Sequence, residues 1–258
     1  MTMSNEQKIH IYVWPERFLY LGPSTRTTSH RNHAATWLVA HKGTLRVTLS
    51  SGAVLENEVI YVPSETEFAT EEAASLISAL YWEPESDSFQ RAATQFDSSI
   101  AHAFKFQYAG IDELESLYNA SMSLAMADQL LAKIFGLDTF GNAKTSFSDK
   151  RIEEALNFLR DADHTYDSID ALAARVYLSP SRFAHLFKEQ VGVPVRRYVL
   201  WQKMRRALDL AMAGDSLTTA ALSAGFADSA HLSRTVRAIM GVAPEFLFRH
   251  RDRLVVHQ

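Results

Sequence analysis

The sequence predicts a multidomain α+β protein with a strand-rich amino-terminal part and an all-helical carboxyl-terminal part. In the front of the chain, short segments rich in β-branched and aromatic residues alternate with turn signals. In the rear, apolar residues recur at helical spacing. A third observation concerns how the helical part is built, because one pattern occurs twice between residues 169 and 249.

Six segments of the front part have the composition of strands, and Gly22-Pro23, Lys42-Gly43 and Ser50-Ser51-Gly52 are among the turn signals that separate them. Many short strands at close spacing are typical of a β-sandwich or barrel. We therefore predict a barrel domain over residues 1–97. Its predicted strands are 9–14, 18–21, 36–40, 44–49, 59–62 and 76–82.

Residues 98–137 return to helical spacing. The apolar positions that follow it are Ile111, Leu114, Tyr118, Met122 and Ala125. Such a segment either pairs with its copy in a homodimer or packs against its own barrel. The polar, glycine-bearing stretch 138–147 is predicted to be a linker.

The repeated pattern consists of a short helix, a turn and a second helix, with an offset of 49 positions between the copies. The corresponding residues are Phe183 and Leu232, Lys188 and Arg237, and Gly192-Val193 and Gly241-Val242. Cap residues precede the second helices and glycines end them. These helix-turn-helix motifs are predicted at about 168–191 and 217–240. A helix over 194–212 connects them, and at ~1.5 Å per residue it is roughly 28 Å long.

The two motifs and the connecting helix resemble the DNA-binding domain of the AraC/XylS family of bacterial transcription regulators. The resemblance covers residues 148–250, and the predicted domain extends over 148–258. It rests on Ser179, Leu186-Phe187-Lys188, Gly192, Tyr198, Lys203-Met204, Ala207, Gly225-Phe226, Asp228, Leu232, Arg234, Gly241, Pro244 and Phe248-Arg249. Val236 and Ala220 depart from the family pattern, where larger side chains are usual, and this predicts a looser second core.

Double-stranded DNA is the partner that the resemblance implies, and the charge distribution agrees once the chain is divided. Residues 146–258 contain 16 Lys and Arg against 13 Asp and Glu, whereas the preceding residues contain 10 against 17. Between Ser179 and Arg206, seven basic residues accompany one acid, Glu189. A basic cluster suits a phosphate backbone, although a solvated helix face accounts equally well for Lys203, Arg205 and Arg206.

The resemblance also implies individual contacts. Base contacts are expected from Ser181, Arg182, His185, Ser229, Ala230, Ser233 and Arg234. Phosphate contacts are expected from Ser179, Lys188, Arg196, Arg197 and Arg237. Because arginine can bond two acceptors of a guanine edge, Arg234 is the strongest candidate for base recognition. The alternatives are a phosphate contact or a structural role for Arg234, and an ordinary surface histidine at His185.

The front barrel is similar to the cupin-like domain that commonly precedes this DNA-binding domain. Cupin enzymes bind a metal through two close histidines, an acid and a later histidine. Here His30 and His33 are present, but no glutamate follows at the expected interval, and Phe68 lies about where the later histidine would be. We therefore predict no metal and no cofactor.

A small-molecule effector is a further candidate partner. The residues considered for its pocket are Trp14, His30, Trp37, Tyr61 and Trp82. Aromatic side chains commonly line pockets, but at strand spacing they also form ordinary core. Both alternatives remain open at this stage.

The remaining features predict a cytoplasmic regulator that is not an enzyme. The chain has no cysteine, no signal peptide and no segment of membrane-spanning length. Three hypotheses follow, namely an effector-controlled regulator, a regulator whose front domain only dimerises, and, with least support, a metal-dependent cupin enzyme fused to a DNA-binding tail. RNA polymerase is a candidate partner of either regulator.

Overall fold

The computed structural model of the protein describes residues 8–72, 76–104, 110–120, 122–135, 137, 147–161, 168–248 and 251–257. The chain is α+β, with a sheet-rich amino-terminal region followed by a helical part. It divides into two compact units. The sheet unit comprises Met1–Ala143 and Met240–Gln258, and the helical unit comprises Lys144–Ile239.

The described strands of the sheet unit form two sheets. The strands are β1 (Ile9–Trp14), β2 (Arg17–Pro23), β3 (His30–Arg31), β4 (Ala35–Ala40), β5 (Leu45–Leu49), β6 (Val54–Asn57), β7 (Val59–Val62), β8 (Glu67–Thr70), β9 (Leu76–Trp82), β10 (His102–Phe104) and β11 (Leu254–His257). The larger sheet has the order β10-β7-β4-β9-β2-β1-β11 and the smaller one β3-β8-β5-β6. All six predicted strands are confirmed. The five that the sequence did not predict have two to four residues each, too few for a period of two to be recognised.

Strand β4 contributes to two separate cores, because successive side chains of a strand point to opposite faces of the sheet. Trp37 and Val39 belong to a core on the face that also receives helices. Leu38 and Ala40 belong to a core shared with the smaller sheet. All six residues of β4 are buried, as expected for a strand covered on both faces.

Three helices of the sheet unit are α1 (Asp87–Ala93), α2 (Gly110–Ala120) and α3 (Leu124–Ile134). Leu114 and Leu117 of α2 and Leu131 of α3 lie in the core with Trp37, so these helices pack on their own sheet. The predicted helical segment over 98–137 contains α2 and α3 but is interrupted. It contains β10, and Ser123 starts a new helix by accepting a hydrogen bond from the N–H of Met126. The side chain of Ile111 and residues 138–146 of the predicted linker lie outside the described residues.

The helical unit contains six described helices. They are α4 (Lys150–Arg160), α5 (Ile169–Arg175), α6 (Pro180–Val191), α7 (Val195–Ala213), α8 (Leu217–Ser223) and α9 (Ser229–Met240). Apolar side chains of α4, α5, α6 and α7 share one core. Within the described ranges, no helix has the length and apolar character that crossing a bilayer requires.

The chain after α9 belongs to the sheet unit, which differs from the predicted domain over 148–258. This segment contains α10 (Glu245–Phe248), a 3-10 turn (Arg251–Arg253) and β11. β11 pairs in parallel with β1, with Leu254 opposite Ile9. The ring of His257 stacks on Tyr12 at 4.0 Å, and its Nε2 lies 3.2 Å from Nδ1 of His10. The sequence gives no local signal for this strand, because its partner is distant along the chain.

The start of the same segment is also fixed within the sheet unit. The carbonyl of Gly241 accepts hydrogen bonds from the N–H and the Oγ1 of Thr28, at 2.9 and 3.2 Å. Gly241 has a φ of 72°, and a Cβ added there would lie 2.6 Å from the Cβ of Thr27. Glycine is therefore required at this position both for its left-handed backbone and for lack of space.

Candidate nucleic-acid interface

The helical unit contains two helix pairs of similar construction. We call α5 with α6 the first pair and α8 with α9 the second pair, and α7 connects them. Three serines accept hydrogen bonds at helix N-termini from the backbone N–H three residues later, namely Ser168, Ser179 and Ser216. Asp228 makes the same contact with the N–H of His231 at 2.5 Å. These caps satisfy N–H groups that have no partner inside the helix.

The turns of the two pairs close in the same way. The N–H of Leu178 and the N–H of Phe226 each donate to the carbonyl five residues earlier, at 2.9 Å in both cases. These positions are 48 residues apart, whereas the caps Ser179 and Asp228 are 49 apart. The expected offset of 49 therefore holds for α6 and α9 but not for the first helix and turn of each pair. Ala227 is the additional residue of the second pair.

One position in each turn has a left-handed backbone. It is Tyr177 in the first pair, with a φ of 55°, and Gly225 in the second, with a φ of 81°. The ammonium group of Lys203 on α7 donates to the carbonyl of Gly225 at 3.2 Å. The side chain of Tyr177 is 92% exposed. The sequence analysis did not single out Tyr177, although its alignment with Gly225 at an offset of 48 would have identified it.

Helix α6 has one buried and one exposed face. Phe183, Leu186, Phe187 and Val191 are buried. The predicted base-contact residues Ser181, Arg182 and His185 are exposed, as is Lys188. Nδ1 of His185 lies 3.7 Å from a carboxylate oxygen of Glu189 on the same exposed face.

Helix α9 is arranged in the same manner. Leu232, Thr235, Val236 and Ile239 are buried. Among the predicted contact residues, Ala230, Arg234 and Arg237 are exposed, whereas Ser229 and Ser233 are half-buried. The second pair therefore presents fewer fully accessible polar side chains near the start of its second helix than the first pair does.

The predicted phosphate-contact residues lie at helix ends. Ser179 precedes α6 and is exposed, and its Oγ accepts the N–H of Arg182 at 3.3 Å. Arg196 is exposed and Arg197 half-buried in the first turn of α7. Lys203, by contrast, contacts the second turn, so the structure gives it a bracing role.

Four of the five residues considered for an effector pocket lie in one buried cluster of the sheet unit, namely Trp14, Trp37, Tyr61 and Trp82. The polar atoms of two of them, Trp82 and Tyr61, have hydrogen-bond partners within the sheet unit. The indole of Trp82 donates to Ser88 Oγ at 3.0 Å, and the phenol of Tyr61 to the carbonyl of Ser98 at 3.1 Å. Burial raises the pKa of Tyr61.

His30 does not lie with these aromatic side chains. It belongs to β3 of the smaller sheet, where its Nδ1 lies 2.8 Å from the carbonyl of Thr28 and its ring contacts Phe68 at 4.3 Å. The five residues considered for an effector pocket therefore do not lie together, because His30 is separate from the four aromatic side chains.

A small cavity of about 20 Å³ lies between the larger sheet and helices α2 and α3. Its walls are Leu19, Trp37, Val39, Ser78, Leu80, Leu114, Leu131, Ile134 and Phe135. A cavity of this size holds about one water molecule. A larger ligand at this place would require α2 or α3 to move away from the sheet.

The second histidine of the incomplete cupin pattern forms a buried ion pair. Nε2 of His33 lies 3.0 Å from a carboxylate oxygen of Glu85, and both side chains are almost completely buried. Burial alone would lower the pKa of His33, but the adjacent Glu85 carboxylate raises it above its usual value. Among the described residues, no group of three or more histidine or carboxylate side chains is placed to bind a metal ion.

Comparison with known proteins identifies the helical part. A family described as a helix-turn-helix domain matches residues 172–250, a range that contains most of both helix pairs. The arabinose operon regulatory protein of Escherichia coli (strain K12) is 29% identical over 133 residues, which are 50% of this chain and 44% of that protein. The match thus spans less than half of the relative's length. This chain therefore contains a helix-turn-helix domain, and half of it is similar to this regulatory protein.

The overall fold of the chain is also similar to that of solved structures. The crystal structure of ToxT from Vibrio cholerae O395 superimposes with a TM-score of 0.58, covering 91% of this chain and 98% of that chain at 15% identity. A structure of ToxT from strain SCE256 with a bound unsaturated fatty acid gives a TM-score of 0.51 over 100% of both chains at 11% identity. At these identities the likeness concerns the fold alone.

Proposed function

We propose that this protein is an AraC-family transcription regulator that binds specific promoter DNA through two helix-turn-helix units. The observation that carries the proposal is the pair of similar helix pairs on one connecting helix, each with a buried apolar face and an exposed polar face. α6 and α9 are the recognition helices. Their exposed faces offer the donor groups that base edges in the major groove accept.

The length of α7 sets the scale of the DNA site. Its 19 residues correspond to about 28 Å, and adjacent major-groove segments on one face of B-DNA lie about 34 Å apart. The two recognition helices therefore suit adjacent major-groove segments of bent DNA. Engagement of one pair at a time is the alternative, and it predicts a footprint of about half the length.

The two pairs differ in their proposed contributions. In the first pair, Ser181, Arg182 and His185 face the bases. Phosphate contacts come from the basic and polar groups around that helix, Ser179, Lys188, Arg196 and Arg197. Contacts with the phosphate backbone supply much of the affinity for DNA but carry no sequence information. The first pair, which has more of these contacts, therefore supplies most of the affinity.

In the second pair, Arg234 is the main base contact, with Ser229, Ala230 and Ser233 beside it. Arg237, one turn further along α9, bonds phosphate. Because a bidentate arginine discriminates strongly between bases, the second pair supplies a large part of the sequence choice.

The test is selection of genomic DNA fragments by the purified full-length protein, followed by sequencing and footprinting. We expect a recurring sequence with two contacted segments about one helical turn apart. Recovery of fragments without any shared sequence would contradict specific recognition. A single short contacted segment would favour engagement of one pair.

For the sheet unit we propose a cupin-like barrel that controls the regulator, either by binding a small effector or by forming a homodimer. The cavity beneath α2 and α3 is too small for an effector in the present conformation, so effector binding would open it. This observation favours dimerisation without an effector as the second candidate. Thermal unfolding with candidate ligands and light scattering of the free protein distinguish the two.

The same proposal includes a cytoplasmic location, where promoter DNA and RNA polymerase are available. RNA polymerase is a further proposed partner, because a regulator bound at a promoter acts through the transcribing enzyme. Transcription reconstituted with purified polymerase and a selected promoter fragment tests this partner.

A further inference from the structure

We propose that the phenol of Tyr177 donates a hydrogen bond to a phosphate of the DNA that α6 enters. This inference rests on the proposed DNA-binding function and adds one contact to it. Neither the repeated motif nor the resemblance to the family assigned a role to this position.

The backbone at Tyr177 is costly for a residue with a side chain. Its φ of 55° lies in the left-handed region, which is unfavourable for L-residues other than glycine because Cβ comes too close to the backbone. The equivalent position of the second pair carries glycine, which adopts this conformation without that cost. A tyrosine here therefore requires a compensating role.

Packing does not compensate for that cost. The Tyr177 side chain is 92% exposed, the highest value among the exposed large hydrophobic residues in the described part of the chain. At Gly225 a Cβ would lie 3.2 Å from the Lys203 ammonium, so that turn leaves little room for any side chain. The first turn instead projects an aromatic ring into solvent. Strained, exposed residues of this kind concentrate at functional sites.

The position of Tyr177 indicates a phosphate as the partner of its phenol. It lies two residues before Ser179, the cap of the 12-residue helix α6. The N-terminus of a helix attracts negative charge. Exposed Arg175 and Arg182 flank the turn in sequence. Tyrosine hydroxyls are among the side-chain groups that bond DNA phosphates.

The structure offers two informative substitutions at this position. Tyr177→Phe keeps the ring and the backbone strain but removes the donor. Tyr177→Gly removes the side chain and suits the left-handed backbone. Because the ring is exposed, neither substitution leaves a cavity, and we expect thermal unfolding midpoints no lower than that of the wild type.

Binding is measured with two fluorescent duplexes over a range of salt concentrations. One duplex carries a fragment recovered in the genomic selection, and the other has an unrelated sequence. We expect both variants to bind both duplexes roughly 3- to 10-fold more weakly, as loss of one hydrogen bond predicts. The dependence of the affinity on salt concentration should be unchanged, because an uncharged hydroxyl group displaces no counterion from the DNA. Val54→Ala, an exposed apolar position on β6, is the control and should bind like the wild type.

Wild-type affinity of Tyr177→Phe for both duplexes would overturn the proposal, whether or not Tyr177→Gly binds more weakly. A loss confined to the selected duplex would also overturn it, because a phosphate contact does not depend on sequence. Variants that bind DNA normally but fail in reconstituted transcription would assign Tyr177 to a protein partner instead. If the wild type binds neither duplex, the DNA-binding function itself fails.

Discussion

The two helix pairs have similar caps and similar turns, but different tertiary contacts support them. Phe183 and Phe187 form the centre of the first pair, and α4 adds Ile152 and Leu156 to the same core. In the second pair, the smaller Ala220 occupies the position equivalent to Leu172, and both residues are buried. The sequence predicts a looser core for the second pair on this ground. Similar local structure can therefore be stabilised by unequal amounts of packing.

The second pair is supported in other ways. Lys203 of α7 bonds the carbonyl of Gly225 in its turn. This polar contact accompanies a core in which Ala220 and Val236 replace larger side chains of the first pair. The first pair should therefore depend mainly on apolar packing, and the second should depend more on the polar contact at its turn.

The largest expected effect is that of truncating the core of the first pair. Phe183→Ala should cost about 3–5 kcal/mol of folding free energy, because it removes a fully buried ring and leaves a cavity. Leu232→Ala should cost about 2–5 kcal/mol at the equivalent position of the second pair. Urea denaturation measures the loss of folding free energy in both variants. Hydrogen exchange of the α6 and α9 amides shows which helix pair is destabilised. A greater loss from Leu232→Ala would reverse the comparison.

The second prediction concerns the proposed division of DNA contacts. Arg234→Ala should cost about 1–3 kcal/mol on selected DNA and relax the preference at one base position. Lys188→Ala should weaken binding to selected and unrelated duplexes alike and reduce the salt slope by about 1. Equal losses on both duplexes for Arg234→Ala would remove its base-reading role. A salt slope unaffected by Lys188→Ala would remove the phosphate contact.

The third prediction tests the two turns. Gly225→Ala should destabilise the helical unit by about 1–2 kcal/mol, because it places a side chain on a left-handed backbone. Tyr177→Ala should leave stability almost unchanged, since that turn already has a non-glycine residue and the lost ring is exposed. Thermal unfolding of the two variants provides the measurement. Similar losses in both would show that the turns are equivalent after all.

The smallest expected effect is a pH dependence of the segment that follows the second pair. Burial, with the charges of His257 and Lys8 acting in the same direction, lowers the pKa of His10 to about 4. Burial also lowers the pKa of His257. The folded state thus favours neutral rings, so the stabilisation by β11 is complete above pH 6.5, the usual histidine value, and decreases as the pH falls towards 4.

Hydrogen exchange of the β11 amides at neutral and mildly acidic pH measures this effect. The aromatic groups around the pair, Tyr12 and Tyr118, remain uncharged over the whole range, because burial raises the pKa of both. His10→Phe removes the titrating ring and should flatten the pH dependence. Protection of β11 that is independent of pH in the wild type would contradict the role of the histidines.

The sequence predicted the helical unit well because its signals are local. Ser168 and Ser179 cap the helices that they were expected to cap, and Gly192 ends α6 with a left-handed backbone. α7 occupies 195–213 instead of the predicted 194–212. Caps and apolar periodicity depend on neighbours a few residues away, and a sequence contains this information directly.

The candidate interface could be predicted only in part. Helical periodicity was sufficient to place Arg182, His185 and Arg234 on exposed faces. It could not show that Lys203 would brace Gly225, 22 residues away. This contact depends on how α7 packs against α8, and no local pattern records that packing.

By itself, the sequence determined the class of the longer segments, the ends of the helices and the repeated helix-turn-helix pattern of the helical part, because these follow from local chemistry. The tertiary structure decided which distant groups meet. It paired His33 with Glu85, buried the four aromatic side chains beneath helices, and joined β11 to the edge of the larger sheet. Those contacts arise from the pairing of strands that are far apart in the chain. A one-residue change in the register of a strand would move its side chains to the opposite face of the sheet.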